Sequence, residues 1–370
     1  VANLGIIGCG DVATRTYFPA LLELGEAAQV TAVFDVVGER AANAAKTFVG
    51  STPYVTLNEL LKHPGLDGVL NLTPAPFHRD TTSAALSAGL HVLSEKPIAG
   101  SVAEAQDLIA QAKAAGRNLL VAPAVMATNR FRWLRDVLGN GKLGTISFAT
   151  GQYGTMGPAG WRQYTGDPSV FYAANVGPVL DLGVYPLHGV TGLLGPVKRM
   201  QAFGGIQVPE RTVQIRRLAG KKIDVASNDV VMMHLDFGGT FASIIASFAI
   251  PGSRAPLLEV HGSKGSFSLA LDRFYDAKGP VEFRFLDDTL LGIDGWMDNV
   301  RNPEQDGTGD LIGSGAAHFV SVMKGEEDPI LTAEHATHIL EIILTAKRSI
   351  DEGRAIELET TFTQSKVNPA

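Results

Sequence analysis

Leu4-Gly5-Ile6-Ile7-Gly8-Cys9-Gly10-Asp11-Val12-Ala13 is a short apolar run that meets a G-x-G-x-x-A turn, and a helical pattern continues to about Glu23. Strand, glycine turn and helix in that order are the fingerprint of a dinucleotide-binding βαβ unit. Gly8 permits the tight turn, Gly10 lets backbone approach a pyrophosphate, and Ala13 lets helix and strand pack closely. The helix start at Asp11 and Val12 turns free N–H groups and the positive dipole end toward the phosphates. Cys9 reads as a small filler in the turn. Asp35 ends the next apolar run, 22 residues after Ala13, close to the spacing of about 20 at which an acid meets the adenosine ribose. A carboxylate there favours NAD and repels the 2′-phosphate of NADP. Arg40 nearby is the residue type that accommodates that phosphate, so NADP stays open. The competing reading of Asp35 is a cap for a helix over 39–48.

Strands at 30–34, 67–72, 90–93 and 118–122 alternate with helices at 80–88 and 102–115. Such alternation predicts an α/β domain with a parallel, doubly wound sheet. In these sheets ligands bind outside the carboxyl ends of the strands. Two segments fall there. One is Glu95-Lys96-Pro97, which places Lys96 at the mouth of a crevice. The other is Thr73-Pro74-Ala75-Pro76-Phe77-His78, expected along the nicotinamide half. Thr73, Pro74, His78, Glu95 and Lys96 therefore join Gly8, Gly10, Asp11, Val12, Ala13, Asp35 and Arg40 as candidate cofactor contacts. For His78 a helix-start role is an equal alternative.

The pattern changes near residue 124, which divides the chain into 1–124 and 125–370. Long alternating or apolar runs lie at 145–153, 200–207, 229–237, 240–250, 257–262, 266–271 and 281–286. Phe237-Gly238-Gly239-Thr240 and Gly262-Ser263-Lys264-Gly265 are hairpin signals. This predicts an α+β domain with a large, mostly antiparallel sheet. Runs apolar on both faces, such as 243–250, need cover on both sides. Helices would cover one face and a second subunit the other, giving a homodimer or homotetramer. A long helix over 333–352 and a short strand over 355–358 close the chain. Between the first two long strands, 177–195 reads as a helix with Asp181, Tyr185 and His188 at i, i+4 and i+7, on one face. The alternative for this trio is a buried hydrogen-bonded network. Pro186 is expected to kink the helix or leave a carbonyl unserved. Trp161, Arg162 and Tyr172 lie in the Gly-rich stretch before it, as a substrate wall or as ordinary loop packing.

The 370 residues exceed one typical core. Hydrophobic residues make 45% and charged ones 19%, as in a globular enzyme. The net charge of −7 argues against a nucleic-acid partner. No run approaches a membrane span. The start, Val1-Ala2-Asn3-Leu4, reads as entering a strand at once, and no signal peptide is expected in the given chain. One cysteine allows neither an internal disulfide nor a multi-cysteine zinc site, and no metal site is expected. A cytoplasmic location is the expectation.

The sequence resembles the glucose–fructose oxidoreductase/inositol dehydrogenase/MocA family over most of its length. The resemblance rests on Gly8–Ala13, on 85–97 with Glu95-Lys96-Pro97, and on Gly177-Pro178-Val179-Leu180-Asp181-Leu182-Gly183-Val184-Tyr185. It implies a Rossmann domain succeeded by an α+β domain with an open-faced sheet. It also implies hydride transfer between a nicotinamide cofactor and a sugar, polyol or related hydroxyl or carbonyl compound. Lys96, Asp181 and Tyr185 are then the catalytic set, and a cis Lys96–Pro97 bond is expected. Inositol-dehydrogenase-type members carry histidine at the position of Tyr185; this chain has tyrosine, as in the glucose–fructose oxidoreductase and dihydrodiol dehydrogenase branches. Tyr185 becomes the acid/base. An unperturbed tyrosine has a pKa of ~10, so the Lys96 ammonium is expected to favour its phenolate. Asp181 would orient Lys96 or a substrate hydroxyl. His188 would bind another hydroxyl or serve as the alternative base. The family also holds NAD-dependent glycosidases, which oxidise transiently, and non-catalytic regulators. The intact Lys96, Asp181 and Tyr185 argue against a regulator.

Overall fold

A computed structural model of the chain describes residues 1–269, 281–286, 296–298 and 311–364. Six parallel strands form the first sheet: β1 (Ala2–Ile7), β2 (Ala28–Phe34), β3 (Thr52–Tyr54), β4 (Gly68–Asn71), β5 (His91–Ser94) and β6 (Leu119–Val121). Their order is β3-β2-β1-β4-β5-β6. The chain therefore reverses direction across the sheet between β1 and β4, the switch point where doubly wound folds bind ligands. Ile7, Val69, Val92 and Val121 are almost fully buried, as strands covered on both faces require. Strand β3 has no counterpart in the sequence pattern, because it is three residues long and contains Pro53. It pairs only with β2 at the sheet edge, where proline is tolerated.

Helix ends obey local chemistry. Ser101 caps Val102–Ala115 by accepting the Glu104 N–H at 3.3 Å, and Glu104 Oε2 accepts the Gly100 N–H at 3.0 Å. Glu104 thus reaches one residue past the N-cap, a variant of the capping box. Gly116 closes the helix in the left-handed region, with φ of 62°.

The second sheet has nine strands among the described residues. Its strands are β7 (Ile146–Gly154), β8 (Arg199–Gly205), β11 (Val230–Asp236), β12 (Phe241–Ser247), β13 (Leu258–Gly262), β14 (Gly265–Leu269), β15 (Val281–Phe285), β16 (Met297–Asp298) and β17 (Ile356–Glu357). They run in the order β16-β15-β14-β13-β7-β12-β11-β8-β17. A separate hairpin pairs β9 (Glu210–Thr212) with β10 (Lys222–Asp224). Pairing in the large sheet is antiparallel except between β7 and β12. Both glycine hairpins lie where the sequence puts them, joining β11 to β12 and β13 to β14. The expected strand over 266–271 is described only as far as Leu269; its last two residues lie outside the described set.

Two compact units emerge. One holds Val1–Thr128 and Thr308–Leu340, the other Asn129–Gly307 and Glu341–Ala370. The sequence pattern divides the chain once, at 124; the contacts also return 308–340 to the first unit. The helix Leu311–Met323, which no sequence signal singled out, belongs to this segment. The Val121 N–H donates to Leu331 O at 3.1 Å, and Leu120 bridges Thr332. Ala333, Ala336 and Leu340 enter the same apolar cluster as Ile7, Val69 and Val92. A late return of this kind leaves no composition shift behind. No helix among the described residues is long and apolar enough to cross a membrane.

Candidate active site

In the first unit the glycine turn is shaped as the sequence requires. Gly8 has φ of +95°, and a Cβ there would lie 2.8 Å from Leu72 O, so only glycine fits. A Cβ on Gly10 would have nothing within 4 Å. Backbone is thus bare and open there, as close approach of a pyrophosphate would need, and a side chain would fill that space. Ala13 is fully buried. The helix after the turn begins at Asp11, passes through a π turn over Ala13–Tyr17, and continues as Phe18–Glu23. Arg15 reaches back to Asp11 Oδ2 at 2.9 Å.

Asp35 is buried, and both its oxygens are engaged. Oδ2 accepts the Cys9 N–H at 2.9 Å and Oδ1 the Val37 N–H at 2.8 Å. The carboxylate is thereby fixed at the end of β2. Arg40, mostly exposed, stands 4.0 Å from Oδ1. The Cys9 thiol is pushed up to about 12, chiefly by burial and then by Asp35, and is inert as a nucleophile.

The two loops at the carboxyl ends of β4 and β5 are tied together. Asn71, at the end of β4, accepts the Thr73 hydroxyl at 2.7 Å and donates to His78 O at 3.1 Å. The His78 ring lies between Thr73 O, 2.7 Å from Nε2, and Pro97 O, 2.6 Å from Nδ1. His78 is 1% exposed. Its ring is spent on backbone carbonyls, so it braces the loops instead of presenting an edge to a cofactor. His78 also opens the helix His78–Ser87, as its helix-start alternative has it. Pro74 is exposed and Thr73 half-buried. Glu95 receives the Tyr17 hydroxyl on Oε1 at 2.7 Å and the Lys96 N–H on Oε2 at 3.0 Å. Lys96 itself is half-buried, and its bond to Pro97 is cis. Tyr17 and Asn71 organise this corner, and sequence reading passed over both. Tyr17 carries only the signal of an aromatic on a helix, since its partner is 78 residues away.

In the second unit Asp181 lies in a π turn, Val179–Gly183, that runs straight into the helix Val184–Leu194 carrying Tyr185 and His188. The widened turn contains Leu182, whose carbonyl Pro186 cannot serve, having no N–H; the distortion is the one proline forces. All three side chains are buried, at 9%, 3% and 4% exposure in order. The Tyr153 ring, from β7, meets Tyr185 edge-on at 5.8 Å. Burial drives the His188 imidazole down to about 3, so it is neutral across the ordinary pH range.

The candidate wall residues part company. Tyr172 is completely buried, and its hydroxyl accepts the Ala159 N–H at 3.0 Å. It packs the loop from within, as the loop-packing alternative has it; an aromatic in a loop is as readily a plug as a surface. Behind it Arg211 Nη2 meets Asp229 Oδ2 at 2.7 Å, with both side chains buried. The guanidinium also lies 5.8 Å over the Tyr172 ring. Trp161 is half-buried, 6.4 Å from Phe171. Arg162 is exposed and lines a cleft of about 870 Å³ with Gln163, Gln214 and Ala219.

A parallel sheet that reverses order beside a bare glycine turn, with a fixed acid at the end of the next strand, defines a dinucleotide-binding Rossmann domain. Comparison with known proteins agrees. Residues 2–122 match the model of an oxidoreductase family with an NAD-binding Rossmann fold, and 131–268 match the GFO/IDH/MocA C-terminal domain. The chain belongs to the GFO/IDH/MocA oxidoreductase family. It is 33% identical to a dTDP-3,4-didehydro-2,6-dideoxy-alpha-D-glucose 3-reductase from Actinomadura kijaniata, over 52% of this chain and 56% of that protein. It is 26% identical to a 1,5-anhydro-D-fructose reductase from Ensifer adhaerens, over 96% of this chain and 98% of that one. Among solved structures, an NAD-binding oxidoreductase from Klebsiella pneumoniae shares the fold, with a TM-score of 0.81 and 22% identity, over 97% of this chain and 99% of that one.

Proposed function

We propose that this oxidoreductase transfers a hydride between a nicotinamide cofactor and a hydroxyl-bearing carbon of a sugar, polyol or related compound, with Tyr185 as acid/base. The observation that carries the reading is the fixed Glu95-Lys96-Pro97 turn at the carboxyl end of β5 in the NAD-binding unit. The Asp181-x-x-x-Tyr185 segment in the second unit supports it. Both relatives named above are reductases of sugar compounds, one of them matched end to end.

Gly8, Gly10 and the helix start at Asp11, Val12 and Ala13 hold the pyrophosphate, and Asp35 takes the ribose. When bound, the nicotinamide ring supplies the hydride donor or acceptor. Lys96 contributes positive charge at that end of the crevice, where a developing alkoxide is stabilised. In oxidation Tyr185 as phenolate takes the proton from the alcohol and releases it to solvent before the next turnover; in reduction the neutral phenol gives its proton to the carbonyl oxygen and is reprotonated from solvent. Asp181 orients its neighbours from one turn away. His188, held neutral by burial, is assigned to a substrate hydroxyl, and Trp161 and Arg162 to the substrate side.

A spectrophotometric screen tests this. Sugars, polyols and lactones are offered with NAD+ and NADP+, and 1,5-anhydro-D-fructose with NADH and NADPH. Substrate-dependent change in reduced cofactor is expected. Cleavage of glycosides without net reduced cofactor would replace the reading by the glycosidase one, and cofactor binding without any turnover by the regulator.

The chain is also assigned to a homodimer or homotetramer built through the large sheet. Phe203, Met232, Phe241 and Phe148 lie on one face by register, 60%, 41%, 55% and 45% exposed. The opposite face, with Ala202, Met233, Ile244 and Ala149, is buried. An aromatic sheet face this open fits a second copy of itself. The lone, buried Cys9 fits a reducing cytoplasm; recovery of the protein from a periplasmic fraction would contradict that.

A further inference from the structure

Lys96 is flanked by two residues that the sheet alone does not place. On one side Glu95 has both carboxylate oxygens committed, Oε1 to the Tyr17 hydroxyl at 2.7 Å and Oε2 to the Lys96 N–H at 3.0 Å. On the other side Pro97 O lies 2.6 Å from His78 Nδ1. Tyr17 is 2% exposed, so its phenol is held in a fixed, dry position. Hydrogen bonds to an ionised carboxylate are the stronger kind, and in such surroundings they hold geometry firmly. Tyr17 is also the last residue of the π turn in the helix that begins inside the glycine motif. Pro19 has no N–H for the Arg15 carbonyl inside that turn, so the widening has the same cause as at Pro186, and it rotates the rest of the helix, Tyr17 with it. One continuous path therefore runs from the phosphate-binding helix start, through Tyr17 and Glu95, to the backbone of Lys96.

We propose that Tyr17 is a positioning residue that links occupancy of the dinucleotide site to the placement of Lys96. The inference rests on the reading of Lys96 as a functional residue, and nothing in the family comparison assigns Tyr17. A link of this kind is reciprocal: a cofactor that draws on the helix start must steady the turn, and a loosened turn must weaken the cofactor. The Lys96 amide reports the link directly, because its N–H is donated to the very carboxylate that Tyr17 holds. The Glu95 amide is an internal control, since it donates to Asn71 O at 2.9 Å as part of the sheet.

The test is residue-resolved amide hydrogen exchange on the full chain, with and without NADH, for the wild type and Tyr17→Phe. In the wild type NADH should slow exchange at Lys96. In Tyr17→Phe the Lys96 amide should exchange about fivefold faster, the effect of losing one ordinary hydrogen bond. The Glu95 amide should be unchanged, and NADH should no longer slow Lys96. Unchanged Lys96 exchange in a folded Tyr17→Phe protein would overturn the proposal. So would Glu95 and Lys96 accelerating together, which marks general loosening of the strand. Glu95→Gln gives a second route if the first variant does not fold. Since a Tyr17 hydroxyl can also accept from an amide NH2, the glutamine can keep both contacts by turning its oxygen to the Lys96 N–H, so Glu95→Ala is read beside it: with both contacts removed the NADH effect at Lys96 should vanish, and its survival in Glu95→Ala would count against the link. Turnover by Lys96→Met separates the two ideas. Wild-type turnover there removes Lys96 from the chemistry, while the exchange data still decide the role of Tyr17.

Discussion

Asp35 Oδ1 lies 4.0 Å from the Arg40 guanidinium, and the two residues make opposite offers to an adenosine ribose. Asp35 is buried and fixed by two backbone N–H groups, whereas Arg40 is mostly exposed and able to turn. The rigid acid should prevail, because a 2′-phosphate would have to sit against a carboxylate that cannot move. Fluorescence titration should therefore give tighter binding of NADH than of NADPH. Asp35→Asn should shift that ratio toward NADPH by about tenfold, equivalent to roughly 1.4 kcal/mol. Tighter NADPH binding by the wild type would show that Arg40 sets the preference.

Tyr185→Phe should lower kcat by about 10²–10⁴-fold, the usual worth of a positioned acid/base, with little change in NADH affinity. His188→Asn should act mainly on KM. Steady-state kinetics on one active substrate decide between them. Loss of kcat in the Asn variant with kcat retained in the Phe variant would reverse the roles.

His188 also predicts a pH dependence of stability. Burial holds its folded-state pKa near 3, against an ordinary value of 6.5. The unfolded chain therefore binds the extra proton first, and stability falls as pH drops from about 6.5 toward 3. Urea melts of the wild type should show that loss, and His188→Asn should lessen it. Identical pH slopes for the two proteins over that window would exclude His188 as the source.

Arg211 and Asp229 form a buried pair behind the loop that carries Trp161 and Arg162. Asp229 Oδ1 and Oδ2 also accept the Gln207 and Val208 N–H groups, at 2.6 and 3.0 Å. Removing one partner strands a buried charge. Arg211→Met should cost about 3–5 kcal/mol in a urea melt. The double variant with Asp229→Asn should lose less than the two single losses added together. Additive losses would mean the pair is not coupled.

The exposed face of the large sheet predicts assembly. Light scattering at micromolar concentration should report a dimer or tetramer for the wild type. Phe203→Asp combined with Phe241→Asp should give a smaller particle that keeps its fold. A wild-type monomer would remove the sheet face as an interface.

Much of the first unit was legible because its signals are local. The G-x-G-x-x-A turn, the acid ending β2 and the alternation of strand and helix each lie within a short window, and each is set by backbone sterics or by a repeat in hydrophobicity. The hairpins of the second sheet were legible for the same reason, through Gly238-Gly239 and through Gly262 and Gly265. The sequence also brought Asp181, Tyr185 and His188 onto one helical segment. Tertiary structure alone decided the rest. It turned the His78 ring inward onto two carbonyls, buried Tyr172, and paired β7 with β12 in parallel. It joined Tyr17 to Glu95 and returned Leu311–Met323 to the first unit. Those outcomes depend on which distant backbone or side chain arrives to satisfy a polar group or cover an apolar one. A buried donor must find an acceptor somewhere, and nothing in the local sequence says where in the chain that acceptor lies.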